Sequence, residues 1–177
     1  LETRLGSVVG VDGGVDAMRR DLYRDLRPDQ LPDFVQPLMV VEQGYRVVYE
    51  PEALLREPAL AEAEDELRMR VRVTLRALWA LQDMRHLFDP VRRPLFAFQL
   101  ASHKLLRYLA FVPLMLLLAT SVALLPRPFF LLALAGQLAF YGLALFGRRL
   151  GGELAGSSLV ALPYYFGLIN WACVLAF

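Results

Sequence analysis

The back of the chain constrains its fold most. From Leu105 to Phe177 three long apolar stretches follow one another, broken only by Pro126-Arg127-Pro128 and by the polar run Gly147 to Glu153. A helix needs roughly 20 apolar residues to cross about 30 Å of hydrocarbon. The stretches at about 105–125, 129–146 and 159–177 meet or approach that length, and a water-soluble core has no need of so much continuous apolar surface. Of the 18 acidic residues, 17 precede Leu105 and only Glu153 follows it, so a net charge of +1 hides two physically different parts. The expectation is a polar front followed by a multi-pass membrane region.

Basic residues set the expected orientation. Arg92, Arg93, Lys104 and Arg107 precede or open the first span, and Arg148 and Arg149 follow the second. Arg127 stands alone between them. Cytoplasmic loops carry the excess of Lys and Arg, which puts the polar front in the cytosol; the membrane expected is the plasma (inner) membrane. Residues 89–104 form an apolar segment with a basic end, suited either to a helix lying in the interface or to an extension of the first span. Cys173 is the only cysteine, which excludes an intrachain disulfide. His86 and His103 are too isolated to read as a zinc site. Gln137 and Asn170 fall within spans, where they suit hydrogen bonding between helices or the lining of a channel.

The front, residues 1–88, reads as strand, helix, helix, strand and a long helix. Ser7 to Val11 is a short run of β-formers ending at the turn Asp12-Gly13-Gly14. Met18, Leu22 and Leu26 recur every four residues and predict a helix over 16–26. Phe34 to Glu42 reads as a second helix, with Pro37 in its first turn, closed by Gly44. Tyr45 to Tyr49 is a second strand. About Ala61 to Leu87 is a long helix, with Leu67, Val71, Leu75, Leu78 and Leu81 on one face and Glu64, Arg68, Arg72 and Arg76 on another. Such an arginine row is either a solvated, ion-paired face or an anion site, because Arg forks match phosphate oxygens in pairs. Two strands do not make a stable sheet alone, so the fold class expected is a partial α/β domain followed by a helical transmembrane region.

Several segments in order carry a resemblance: Gly10-Val11-Asp12-Gly13-Gly14-Val15-Asp16-Ala17-Met18-Arg19-Arg20, Leu31-Pro32-Asp33-Phe34-Val35-Gln36-Pro37-Leu38 and Gln43 to Ala53. To these add Arg70-Val71-Arg72, Ser102 to Arg107, and Leu162-Pro163-Tyr164-Tyr165-Phe166. Together they resemble the C-terminal half of a family 2 membrane glycosyltransferase, the group of cellulose and hyaluronan synthases. The resemblance implies a cytosolic GT-A domain, here its C-terminal part, which transfers a sugar with inversion from a nucleotide sugar, UDP-linked by expectation, to a glycan or lipid acceptor. It implies no nucleic-acid partner.

By the same resemblance Asp33 matches the aspartate of the Thr-Glu-Asp or Asp-Asp-Phe motif, the general base, with Pro32 in place of the preceding acidic residue. From the residues alone Asp33 is a helix N-cap. Gly13 and Gly14 match the segment that shapes the acceptor pocket. Arg70 and Arg72 match the arginines of the Gln-Arg-x-Arg-Trp motif near the diphosphate, with Met69 and Val73 where Gln and Trp stand in relatives. Mg2+ or Mn2+ is implied for the full-length enzyme, but its Asp-x-Asp ligand motif has no counterpart in these residues. The expectation is therefore a C-terminal fragment, inactive alone. The alternative class is a non-catalytic membrane protein, a remnant or a partner subunit.

Overall fold

The computed structural model describes residues 2–11, 13–56, 63–150 and 158–177. Asp12 of the expected turn, the first residues of the expected long helix and Gly151 to Glu153 of the polar loop lie outside them. The elements are α1 (Glu2–Leu5), a 3-10 turn at Arg20–Leu22, α2 (Pro32–Glu42), α3 (Ala63–Asp83) and a 3-10 turn at Arg85–Phe88. Then come α4 (Pro94–Leu100), a π-helical turn at Ala101–Leu105, α5 (Leu106–Tyr108), α6 (Phe111–Ala123), α7 (Pro128–Leu150) and α8 (Ser158–Ala176).

No strand occurs among the described residues, which overturns the expected α/β GT-A fold. The two segments read as strands do meet, but through one backbone bond, Val8 N–H to the Val47 carbonyl at 3.0 Å. Where the next rung would form, the Val47 N–H donates to Ser7 Oγ instead, at 2.9 Å. The Arg46 guanidinium takes the Gly6 and Thr3 carbonyls, and the Tyr49 N–H goes to Thr3 Oγ1. Side chains thus satisfy the backbone groups that a ladder would have used. The helix expected over 16–26 is also absent beyond Arg20–Leu22. Gln36 Nε2 binds the Arg24 carbonyl at 2.6 Å and Gln43 Nε2 the Leu22 carbonyl at 3.0 Å. These carbonyls face α2 rather than their own helix.

The chain divides into two compact units, one of Leu1–Pro58 with Leu75–Arg107 and one of Ala59–Thr74 with Tyr108–Phe177. In the first, α2 is the core helix: Phe34, Val35, Leu38, Val40 and Val41 are all buried. It closes in a Schellman turn, with the Gly44 N–H on the Val41 carbonyl and the Tyr45 N–H on the Val40 carbonyl. Gly44 takes φ +87°, which suits a residue without Cβ. Ala77, Ala80, Leu81 and Met84 supply the buried stripe that follows from α3, so the face is rotated from the expected one, leaving Leu75 and Trp79 exposed.

In the second unit α6, α7 and α8 pack together. The helices Pro128–Arg149 and Leu159–Ala176 are each long and apolar enough to cross a membrane, and a third span is reached if Pro94–Tyr108 and Phe111–Ala123 count as one broken helix. The protein is therefore membrane-associated. The expected continuous first span is interrupted: α6 has 13 residues, about 20 Å at 1.5 Å per residue. Ser102 contributes to the irregularity, its Oγ bonding back to the Phe98 carbonyl at 2.7 Å inside the π turn. Glycine sets the α7–α8 contact, since a Cβ at Gly147 would lie 3.0 Å from both Tyr164 Cβ and Val160 Cγ1. Asn170 bonds within α8, Nδ2 to the Phe166 carbonyl at 2.9 Å, rather than between helices.

Candidate functional site

The site builds from the start of α2. Pro32 occupies the first turn, where a missing N–H costs nothing and the fixed φ suits the helix. Leu31 is the N-cap and makes no side-chain capping bond. Asp33 is therefore inside the helix and not its cap. It sits in the first turn, where unsatisfied N–H groups favour negative charge. Among the described residues its carboxylate has no hydrogen-bond or ion-pair partner.

Pro37 then does something the sequence signals but does not spell out. In a helix the N–H of residue 37 would bond the carbonyl of residue 33, and proline has none. The Asp33 carbonyl receives the Val11 N–H instead, at 3.2 Å. This fastens the glycine turn over the aspartate. Gly13 has φ +79°, and a Cβ placed on it would lie 3.0 Å from Asp33 Cβ and 3.3 Å from Oδ2. Only glycine combines that backbone with that approach. Gly14 is exposed and outside the left-handed region.

Lys104 completes this side. Its Nζ lies 4.9 Å from the Phe34 ring centroid, a cation–π distance, and a Cβ on Gly10 would meet Nζ at 2.7 Å. The structure thus gathers Gly10, Gly13, Asp33, Phe34 and Lys104, of which the sequence reading had singled out only Gly13 and Asp33 as site residues. Lys104, the single lysine of the chain, was the available signal.

Arg70 and Arg72 lie on the part of α3 that belongs to the second unit. They differ from one another. Arg70 is held by Glu66 through Nε at 3.0 Å and Nη2 at 2.6 Å, so binding an anion there requires exchanging a carboxylate. Arg72 is exposed and has no partner among the described residues. His86 meets Glu42, Nε2 to Oε1 at 2.8 Å. Among the described residues no three His, Cys, Asp or Glu side chains converge as a metal site requires, so the residues described do not fit the implied Mg2+ or Mn2+.

Comparison of the chain with protein-family models, with curated proteins and with solved structures finds no match.

Proposed function

We propose that the chain forms the acceptor side and membrane region of a membrane-bound inverting glycosyltransferase using a nucleotide sugar. The observation that supports this reading best is Asp33, a carboxylate on a rigid helix start. No described residue engages it, and the Gly13 turn covers it. In the proposed step Asp33 accepts the proton of an acceptor hydroxyl as that oxygen bonds to the anomeric carbon and the bond to the diphosphate breaks. The nucleoside diphosphate leaves with the bonding electrons. Lys104, beside Gly10 and Phe34, supplies positive charge on the same side of the unit. Arg72 is the better candidate of the two arginines for an anion, since Arg70 is already paired.

The basic ends Arg92, Arg93, Arg148 and Arg149 favour a cytosolic first unit, where nucleotide sugars are found. The test is Asp33→Asn in the full-length protein, assayed for transfer of labelled sugar from a panel of UDP- and GDP-sugars into membranes carrying it. Loss of transfer at unchanged membrane abundance is the expected result. Transfer equal to that of the unaltered protein would remove Asp33 as base, and no transfer by either protein would favour a non-catalytic membrane protein.

A further inference from the structure

Lys104 is the only lysine among 19 basic residues, and the backbone that carries it is irregular. Helix α4 turns Phe96 and Leu100 inward, where both are buried, and Lys104 follows four residues after Leu100. There the chain leaves the α-helix for the π turn Ala101–Leu105, with the Ser102 hydroxyl donating to the Phe98 and Gln99 carbonyls at 2.7 and 3.3 Å. A π turn takes up one residue more than an α turn and occurs frequently at functional sites. Here it parts two cations. An unbroken helix sets Arg107 on the face of Leu100 and Lys104, yet Arg107 is exposed. Lys104 is half-buried and places its Nζ 4.9 Å from the centre of the buried Phe34 ring.

The other side of this seat is Gly10. Its φ lies outside the left-handed region, so the backbone does not ask for glycine. Space does: a Cβ there would stand 2.7 Å from Lys104 Nζ, 3.2 Å from its Cε and 3.6 Å from Phe34 Cδ2. An ammonium is a compact charge that fits such a gap, whereas a guanidinium is a broad plane. The neighbours of this seat belong to the Asp33 site. Val11, next to Gly10, is bound to the Asp33 carbonyl, and Gly13 lies against the Asp33 carboxylate. Phe34, under the ammonium, directly follows Asp33 in α2.

We propose that Lys104 is a positioning residue of the Asp33 site. Seated between Gly10 and Phe34, its ammonium holds Gly10 and Val11, and through them Gly13, against the start of α2. The consequence for sugar transfer rests on the reading of Asp33 as base; the contact itself does not.

The experiment labels the full chain in detergent with 13C,15N-lysine, which yields one set of side-chain signals because there is one lysine. Its Hε protons should show an aromatic ring-current shift and an NOE to the Gly10 Hα protons. Gly10→Ala is the mild variant, since the atom in the way is the far end of a flexible side chain: the ammonium yields and the backbone stays. In it both signatures should vanish, the Gly13–Asp33 NOE should weaken, and Val11 amide exchange should quicken about fivefold, the scale of one cation–π contact, at an unchanged denaturation midpoint. Lys104→Ala should do the same, and adding Gly10→Ala to it should change nothing further, because the new Cβ then meets an empty seat. Lys104→Arg should not restore the Val11 protection. If the lysine signatures vanish while the Gly13–Asp33 NOE and Val11 exchange stay as they were, or if the effects of the two single variants multiply in the double, the proposal is overturned. In the sugar-transfer assay of the full-length protein, Gly10→Ala should lower kcat by about tenfold or more with the donor KM unchanged, and an unaltered kcat where Asp33→Asn abolishes transfer would overturn the positioning role. No transfer by the unaltered protein defeats Asp33 as base instead, and the lysine signals and Val11 exchange then decide on Lys104 alone.

Discussion

The Val11 N–H donates to the carbonyl of Asp33, and the acceptor is available because Pro37, four residues further along α2, has no N–H to offer it. One helix defect therefore anchors the segment that carries Gly13. A proline inside a helix is ordinarily a cost of about 3 kcal/mol. Here the carbonyl it orphans is re-used, and the loop it captures lies against the proposed base.

Replacing Pro37 with alanine should reverse this. The new N–H competes for the Asp33 carbonyl, α2 gains a helical bond, and the Val11 amide loses its acceptor. Its hydrogen exchange should quicken about fivefold, the equivalent of about 1 kcal/mol for one hydrogen bond, while exchange in the Val40–Tyr45 turn stays unchanged. Val11 exchange that does not respond would mean that the loop is held by other contacts.

Gly13 and Gly44 form a matched pair. Both adopt positive φ, but a Cβ at Gly44 would meet nothing within 4 Å, whereas at Gly13 it would press on Asp33. Gly44→Ala should cost about 1–2 kcal/mol, the left-handed penalty alone. Gly13→Ala should cost more in stability and should also displace Asp33, reducing any transfer activity where Gly44→Ala leaves it intact. Denaturant midpoints of the two variants, with Gly14→Ala as a near-neutral reference, separate the backbone from the contact contribution.

Much of the helical architecture was readable in the residues, and the reasons differ by region. In the membrane part, apolar length decides the structure, so α7 and α8 begin and end within a few residues of the expected 129–146 and 159–177, except where α7 runs on to Leu150. In α2, Gly44 announced the end. The front failed where side chains outcompeted backbone pairing. Ser7, Thr3 and Arg46 answer the carbonyls and N–H groups that the β-formers of 7–11 and 45–49 had suggested for a ladder, and Gln36 and Gln43 hold Leu22 and Arg24 out of the helix expected over 16–26. Periodicity records which residues are apolar, not which polar groups will claim the backbone. At the candidate site the place of Asp33 at the start of α2 was readable in the residues, but the Val11 N–H on its carbonyl required knowing where the loop returns.

Acid should loosen the segment joining the first turn to α2. Arg19 grips Asp21 at 2.5 Å and also stacks over the Tyr45 ring at 5.4 Å. The hydrogen bond from Arg19 holds the Asp21 carboxyl below its ordinary range. Asp29 is lowered as well, first by its backbone hydrogen bond and then by Arg27, which in turn reaches Asp83 at 2.5 Å. A carboxyl lowered on folding contributes stability that is full above the unfolded value of about 3.9 and is lost as pH falls through the folded one. These pairs are exposed, so the effect is small and screened by salt. Carboxyl NMR titration should place Asp21 and Asp29 below a model aspartate, with Arg19→Gln returning Asp21 toward it. An Asp21 midpoint unchanged by that substitution would show that the pair does not persist in solution.

The membrane unit depends on glycine in a different way from the front. Lipid tails are as apolar as the helices, so burial of apolar side chains does little to join α7 to α8, and close packing must do it. Gly147 is buried at the tightest point, where a Cβ would lie 3.0 Å from Val160 Cγ1 and from Tyr164 Cβ, and 3.4 Å from the Val160 carbonyl. Gly167 sits against Ala144 Cβ at 3.4 Å, and Phe140 meets the Phe166 ring edge-on at 5.5 Å. The contact therefore runs along both helices. A flexible neighbour would yield to a larger residue, but Val160 is β-branched and its carbonyl belongs to the helix backbone, so neither moves cheaply. Gly147→Leu should destabilise the unit by about 1–3 kcal/mol through overpacking and widen the α7–α8 distance read by paired spin labels. Gly142→Leu, at a position open to its surroundings, should do neither. If both variants melt alike in the same detergent, the two helices are held by their loop and their lipid rather than by this contact.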